Sequence, residues 1–179
     1  MKNFSQGVRK IKVYAIDKDD IHAALRMLTY PNELVVRVML QTGLRVGDVL
    51  SLRRSDIEQQ SKVIKEQKTG KKRRLRLSSN FRQELLRHSG RVFIFEGRDD
   101  WRKCRTRQAV WKDLKRASEL LRISYNLGTH SARKRWAVDL YESGKPVHEI
   151  QKIMNHSSPE VTMLYCLAEK IHDRKVQKK

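Results

Sequence analysis

The segment Thr42-Gly43-Leu44-Arg45-Val46-Gly47-Asp48-Val49-Leu50-Ser51-Leu52 ends one helix and begins another within a few residues. Ahead of it, Pro31 opens a helix whose apolar residues Leu34, Val35, Val38 and Met39 recur at helical spacing, and Gly43 suits the left-handed backbone that follows a helix end. A short helix from about Val46 to Leu52 follows. Arg45 sits in the joint, and Asp48, three residues on, is placed to orient it within the next helical turn. An arginine held there can fork two oxygens of a phosphate.

Working upstream, Asp17 with Asp20 three residues later reads as a helix cap, and Ile21, Ala24, Leu25 and Leu28 continue the helical period. Downstream comes the one strand-like region: Ser55-Asp56-Ile57, then Lys62 to Glu66, a Lys68-Thr69-Gly70-Lys71 turn, and Arg73 to Leu77 with Leu75 and Leu77 alternating. Helices return at about 79–88, 106–122 (capped by Thr106), 131–143, 146–154 and 159–168. The fold class expected is therefore α+β and mainly helical, with a small three-stranded antiparallel sheet.

The chain has 179 residues, with 40 Lys+Arg against 20 Asp+Glu, a formal net charge of +20. Such a surplus repels itself in a folded domain and is usually neutralised by a polyanion, of which nucleic acid is the commonest. No apolar run is long enough to span a membrane and no signal peptide is evident, so the cytoplasm is the expected compartment. Cys104 and Cys166 lack disulfide or metal-site patterning and read as reduced thiols. With no internal repeat and no Gly/Ser linker, residues 1–179 read as one domain, with residues 1–13 and the basic 166–179 as tails.

The basic residues cluster: Lys62, Lys65, Lys68, Lys71, Lys72, Arg73, Arg74 and Arg76 are opposed only by Glu66. A cationic hairpin of this kind matches the width of a nucleic-acid groove, and Lys71, Lys72, Arg73 and Arg74, with Arg105 and Arg107 at the start of the long helix, are expected to contact phosphates. Two further segments carry phosphate chemistry. Gly128-Thr129-His130-Ser131-Ala132-Arg133 puts His130 and Arg133 on one face near a helix N-terminus, which favours anions. Met154-Asn155-His156-Ser157-Ser158-Pro159 places His156 in a turn, with Tyr165 nine residues later in the next helix.

Taken in order, Arg45, Lys68, His130, Arg133, His156 and Tyr165 resemble the active-site series of the tyrosine recombinases, the phage integrases and their relatives, over about residues 17–168. No single box is specific, but six in family order are. The resemblance implies the catalytic-domain fold of that family and a site-specific recombinase that cleaves and exchanges DNA strands. Arg45 falls on the first arginine and Asp48 on its acidic support. Lys68 falls on the hairpin lysine, the family's general acid, although Lys65, Lys71 and Lys72 are near enough to replace it if the hairpin register slips. His130 and Arg133 fall on the second motif, with His130 as proton acceptor, and His156 on the next histidine. Tyr165 falls on the nucleophile that forms a 3′-phosphotyrosine and frees a 5′-hydroxyl. Arg45, Arg133 and His156 would stabilise the nonbridging oxygens. No metal or cofactor is called for.

The resemblance also implies double-stranded DNA sites as partners, a homotetramer on DNA formed from free monomers, docking of the chain after Tyr165 on a neighbouring subunit, and accessory DNA-bending proteins. The sequence departs from the pattern at Ala132, where leucine is usual, and at Asn155, where glycine is common. Nothing corresponds to the family's N-terminal core-binding domain, whether the chain is an excised fragment or a naturally short version, so weaker, salt-sensitive site recognition is expected. Two rivals share much of the chemistry: DNA relaxation of the type IB topoisomerase kind, and a noncatalytic DNA-binding accessory role.

Overall fold

A computed structural model describes residues 17–59 and 61–154; the expected helix at 159–168, both tails, His156 and Tyr165 lie outside the described residues. Asp17 does cap the first helix, α1 (Lys18–Met27): its Oδ1 accepts the N–H groups of Asp19 and Asp20 at 2.7 and 3.2 Å. The α1 face carrying Ile21, Ala24 and Leu25 is buried. It packs on α2 (Tyr30–Thr42), the central helix, whose Leu34, Val35, Val36, Val38 and Met39 are almost wholly removed from water.

Around α2 gather α3 (Val46–Leu50), α5 (Arg107–Leu120) and α6 (Ser131–Glu142), while α4 (Ser79–His88) packs Phe81 and Leu85 into the same core. A smaller apolar cluster of Ala137, Ile150 and Met154 joins α6 to α7 (Val147–Met154). The start of α2 is tied to α5 by Asp113, whose Oδ2 accepts the Thr29 N–H, the Thr29 hydroxyl and the Asn32 amide, each at 2.8 Å. Burial pushes the Asp113 pKa up, but the hydrogen bonds from Asn32, Arg116 and Thr29 outweigh it and hold the carboxyl at about 2. The carboxylate is therefore charged at neutral pH and fixes where α2 begins.

Among the described residues the sheet has two strands where three were expected. Strands β1 (Lys62–Lys65) and β2 (Lys72–Leu75) pair antiparallel, from Lys62 opposite Leu75 to Lys65 opposite Lys72. Residues 54–56 instead form a 3-10 turn, because the Asp56 side chain reaches back to accept the Arg53 N–H at 2.8 Å. A short polar side chain that bonds its own backbone competes with strand pairing, and here it wins.

The end of α2 matters most for the site. Gly43 caps it in the left-handed conformation, φ 63°, with its N–H on the Met39 carbonyl at 2.7 Å. The Trp136 ring of α6 lies so close that a Cβ on Gly43 would fall 2.2 Å from the ring. Gly43→Ala therefore combines a left-handed backbone penalty with a steric clash, and should destabilise the fold by about 2–4 kcal/mol in chemical denaturation. A midpoint matching wild type would show that the α2–α6 approach is looser than described.

Candidate active site

Three arginines from three elements meet at the end of α2. Arg45 is the residue just before α3, Arg73 lies on β2 and Arg133 on the first turn of α6. Arg133, 4% exposed, donates Nη1 to the Gly43 carbonyl and Nη2 to the Met154 carbonyl, so it joins the ends of α2 and α7. Arg73 donates Nη2 to the Thr42 carbonyl and lies over the Trp136 ring, 5.2 Å from its centroid. Arg45 donates Nη1 to Glu66 Oε2 at 2.6 Å.

Such crowding has an electrostatic signature. Burial, followed by the charges of Arg45 and Arg73, pushes the Arg133 pKa down to about 10, while Glu66 and Asp48 pull the other way. Arg133 remains charged at neutral pH. Burial likewise lowers Arg73, partly offset by Glu66. At the head of α6, His130 is lowered first by desolvation and then by Arg107, Arg133, Lys134 and Arg45. Its imidazole is therefore neutral at pH 7, the form that accepts a proton.

Glu66 is the acid that organises the cluster. Fully buried at the end of β1, it accepts Arg45 and the Thr69 hydroxyl, the latter at 2.9 Å, and faces Arg73 Nη1 at 3.6 Å. Asp48, expected to orient Arg45, has another partner: its Oδ1 accepts the Gln67 N–H at 2.8 Å and so pins the β1–β2 turn to α3. The correction is geometric, since a side chain inside the α3 turn faces the hairpin while Arg45, outside it, reaches Glu66. Lys68 sits exposed in that turn, which closes through Gly70 N–H to the Glu66 carbonyl at 2.9 Å.

Of the expected DNA-facing residues, Lys71, Lys72, Arg74 and Arg107 are exposed. Arg73 turns inward, as a residue two places before the buried Leu75 on the same strand face must. Arg105 is half-buried, with Nε on Asn32 Oδ1 at 2.6 Å, so it helps fix the α2 start. Glu66 was missed as a site residue; its one signal was being the lone acid in a basic hairpin. Among the described residues no three His, Cys, Asp or Glu side chains converge as a metal site requires.

Arg45, Arg73 and Arg133 thus gather positive charge where the end of α2, strand β2 and the start of α6 come together. The chain belongs to the phage integrase family, which it matches over residues 14–172. It is 29% identical over 132 residues to the Probable integrase/recombinase YoeC of Bacillus subtilis, covering 70% of this chain and 71% of that one. It is 30% identical over 155 residues to a Probable integrase/recombinase of Acholeplasma phage L2, covering 82% of this chain and 51% of the relative. The chain thus spans about half the length of that relative, and of the tyrosine recombinase XerD of Lacticaseibacillus casei, of which it covers 48%. The fold is that of the catalytic domain of bacteriophage HP1 integrase, with TM-score 0.65, 21% identity, and 93% and 95% of the two chains covered. A lambda integrase dimer bound to a COC′ core site has TM-score 0.70 at 21% identity, with 89% of this chain and 49% of that chain covered.

The cations around His130 generate a titration prediction. Its NMR midpoint should lie below 6.5 and rise towards 6.5 in Arg107→Ala, which removes the strongest charge repulsion on it. A wild-type midpoint at or above 6.5 would contradict the electrostatic picture of the site.

Proposed function

We propose that this chain is the catalytic domain of a site-specific DNA recombinase that cleaves and rejoins strands through a 3′-phosphotyrosine on Tyr165. The observation that carries the reading is the convergence of Arg45 and Arg133, one junction residue and one helix-start residue, at the end of α2 with His130 beside them. Two guanidinium groups held by hydrogen bonds in partly desolvated surroundings suit the extra negative charge of a five-coordinate phosphorus.

In this mechanism the Tyr165 oxygen attacks the scissile phosphorus and the bond from phosphorus to the 5′-oxygen breaks. His130, neutral at pH 7, takes the tyrosine proton, and Lys68 gives one to the departing 5′-oxygen. Arg45, Arg133 and His156 hold the nonbridging oxygens. Attack by the 5′-hydroxyl of a partner strand on the phosphotyrosine reverses each step and completes the exchange, so the bond energy is kept in the tyrosyl ester.

The exposed Lys71, Lys72, Arg74 and Arg107 are the phosphate contacts along the duplex. The working assembly is a homotetramer on two double-stranded DNA sites, with residues 166–179 docking in trans and DNA-bending proteins assisting, in a bacterial or phage-host cytoplasm. The tetramer on DNA has a precedent in a lambda integrase tetramer bound to a Holliday junction, TM-score 0.71 at 18% identity over 88% of this chain and 49% of that chain.

The test is incubation of the chain with a pool of labelled, nicked duplexes of randomised sequence, without divalent metal, followed by denaturing electrophoresis. Wild type should give a protease-sensitive shifted band, Tyr165→Phe none, and Arg45→Ala a band formed about a hundredfold or more slowly. An equal band from Tyr165→Phe would overturn the assignment of the nucleophile, and relaxation of a plasmid without strand exchange would favour topoisomerase activity over recombination.

A further inference from the structure

We propose that Glu66 is a positioning residue: a single buried carboxylate sets the place of both Arg45 and the turn that carries Lys68. The inference rests on the oxyanion site described under the proposed function and adds what holds that site in register. The side chain of Glu66 accepts Arg45 Nη1 at 2.6 Å and the Thr69 hydroxyl at 2.9 Å, through the same oxygen, Oε2. Its main chain closes the turn, donating its N–H to the Lys71 carbonyl at 3.0 Å and accepting the Gly70 N–H at 2.9 Å. One residue thus links the α2–α3 junction to the residue after Lys68.

Physical necessity points the same way. Glu66 has no exposed surface, and a carboxylate taken out of water needs close cations and hydrogen bonds to remain charged. Arg45 supplies the short contact and Arg73 a longer one at 3.6 Å, while Arg73 itself is anchored to the Thr42 carbonyl and to Trp136. Arg45 is 20% exposed along its side chain, so it is partly open to a phosphate while one Nη stays committed to Glu66. A guanidinium steered in this way spends little conformational freedom when an oxyanion arrives.

The alternative is that Glu66 is only a nearby negative charge, and the two roles predict opposite signs. Removing a negative charge beside an anion site strengthens anion binding by Coulomb attraction alone; removing the anchor of Arg45 weakens it. The probe is inorganic phosphate, titrated calorimetrically into the full 179-residue chain at constant ionic strength, with the binding lost in Arg45→Ala taken as the site.

Glu66→Gln should bind phosphate about tenfold or more weakly than wild type despite its added positive charge. Glu66→Asp, which keeps the charge but draws the carboxylate back by one methylene, should fall between the two, and it decides the matter if the glutamine variant does not fold. Wild-type or tighter phosphate binding by the folded variant overturns the positioning role while leaving the proposed function intact. A wild-type chain with no Arg45-dependent phosphate binding overturns the oxyanion site and this inference together.

Discussion

Arg133 bridges two helix ends, and the geometry of the site depends on that bridge. Its guanidinium takes the Gly43 carbonyl at the end of α2 and the Met154 carbonyl at the end of α7. A main-chain carbonyl buried away from water needs a donor, and one buried guanidinium supplies both of these. With Arg45 and Arg73 adding positive charge nearby, the arrangement lowers the Arg133 pKa to about 10, yet leaves the group ionised at neutral pH. The bridge fixes α6 against the joint that carries Arg45 and ties both to α7.

Two acids offset the cations and do so in different places. Asp48 holds the hairpin turn through the Gln67 N–H, and Glu66 takes the side chain of Arg45. The basic hairpin is consequently split by its own pleat. Lys72 and Arg74 face solvent, where phosphates can reach them, and Arg73 faces the cluster. A strand of near-uniform charge thus turns two cations to solvent and one to the arginine cluster.

Much of this was legible in the sequence because it follows local rules. The Asp17 cap, the Gly43 stop, the Thr106 cap and the helix periods all act within a turn or two, and each falls where its residue type requires. The family order of Arg45, Lys68, His130 and Arg133 was readable from spacing, and the structure sets Arg45 and Arg133 around the end of α2, His130 at the head of α6 and Lys68 in the hairpin turn. What escaped depends on contacts between distant residues. The turn at Asp56 replaced a strand through one side-chain bond, Asp48 took the Gln67 N–H while Arg45 turned to Glu66 across the hairpin, and Asp113 reached the Thr29–Asn32 start of α2 from another helix. Spacing along a chain carries no record of such pairings until the elements are packed.

The most direct measurement of the Arg133 bridge is the rate at which Arg133→Lys forms the covalent DNA adduct, taken beside its unfolding curve. Lysine keeps the positive charge, but its single ammonium cannot reproduce the planar fork that spans two helix ends. Arg133→Lys should fold and form adduct about a hundredfold or more slowly than wild type. Adduct formation at the wild-type rate would show that charge alone suffices there, and would contradict the claim that the bridge between α2 and α7 builds the site.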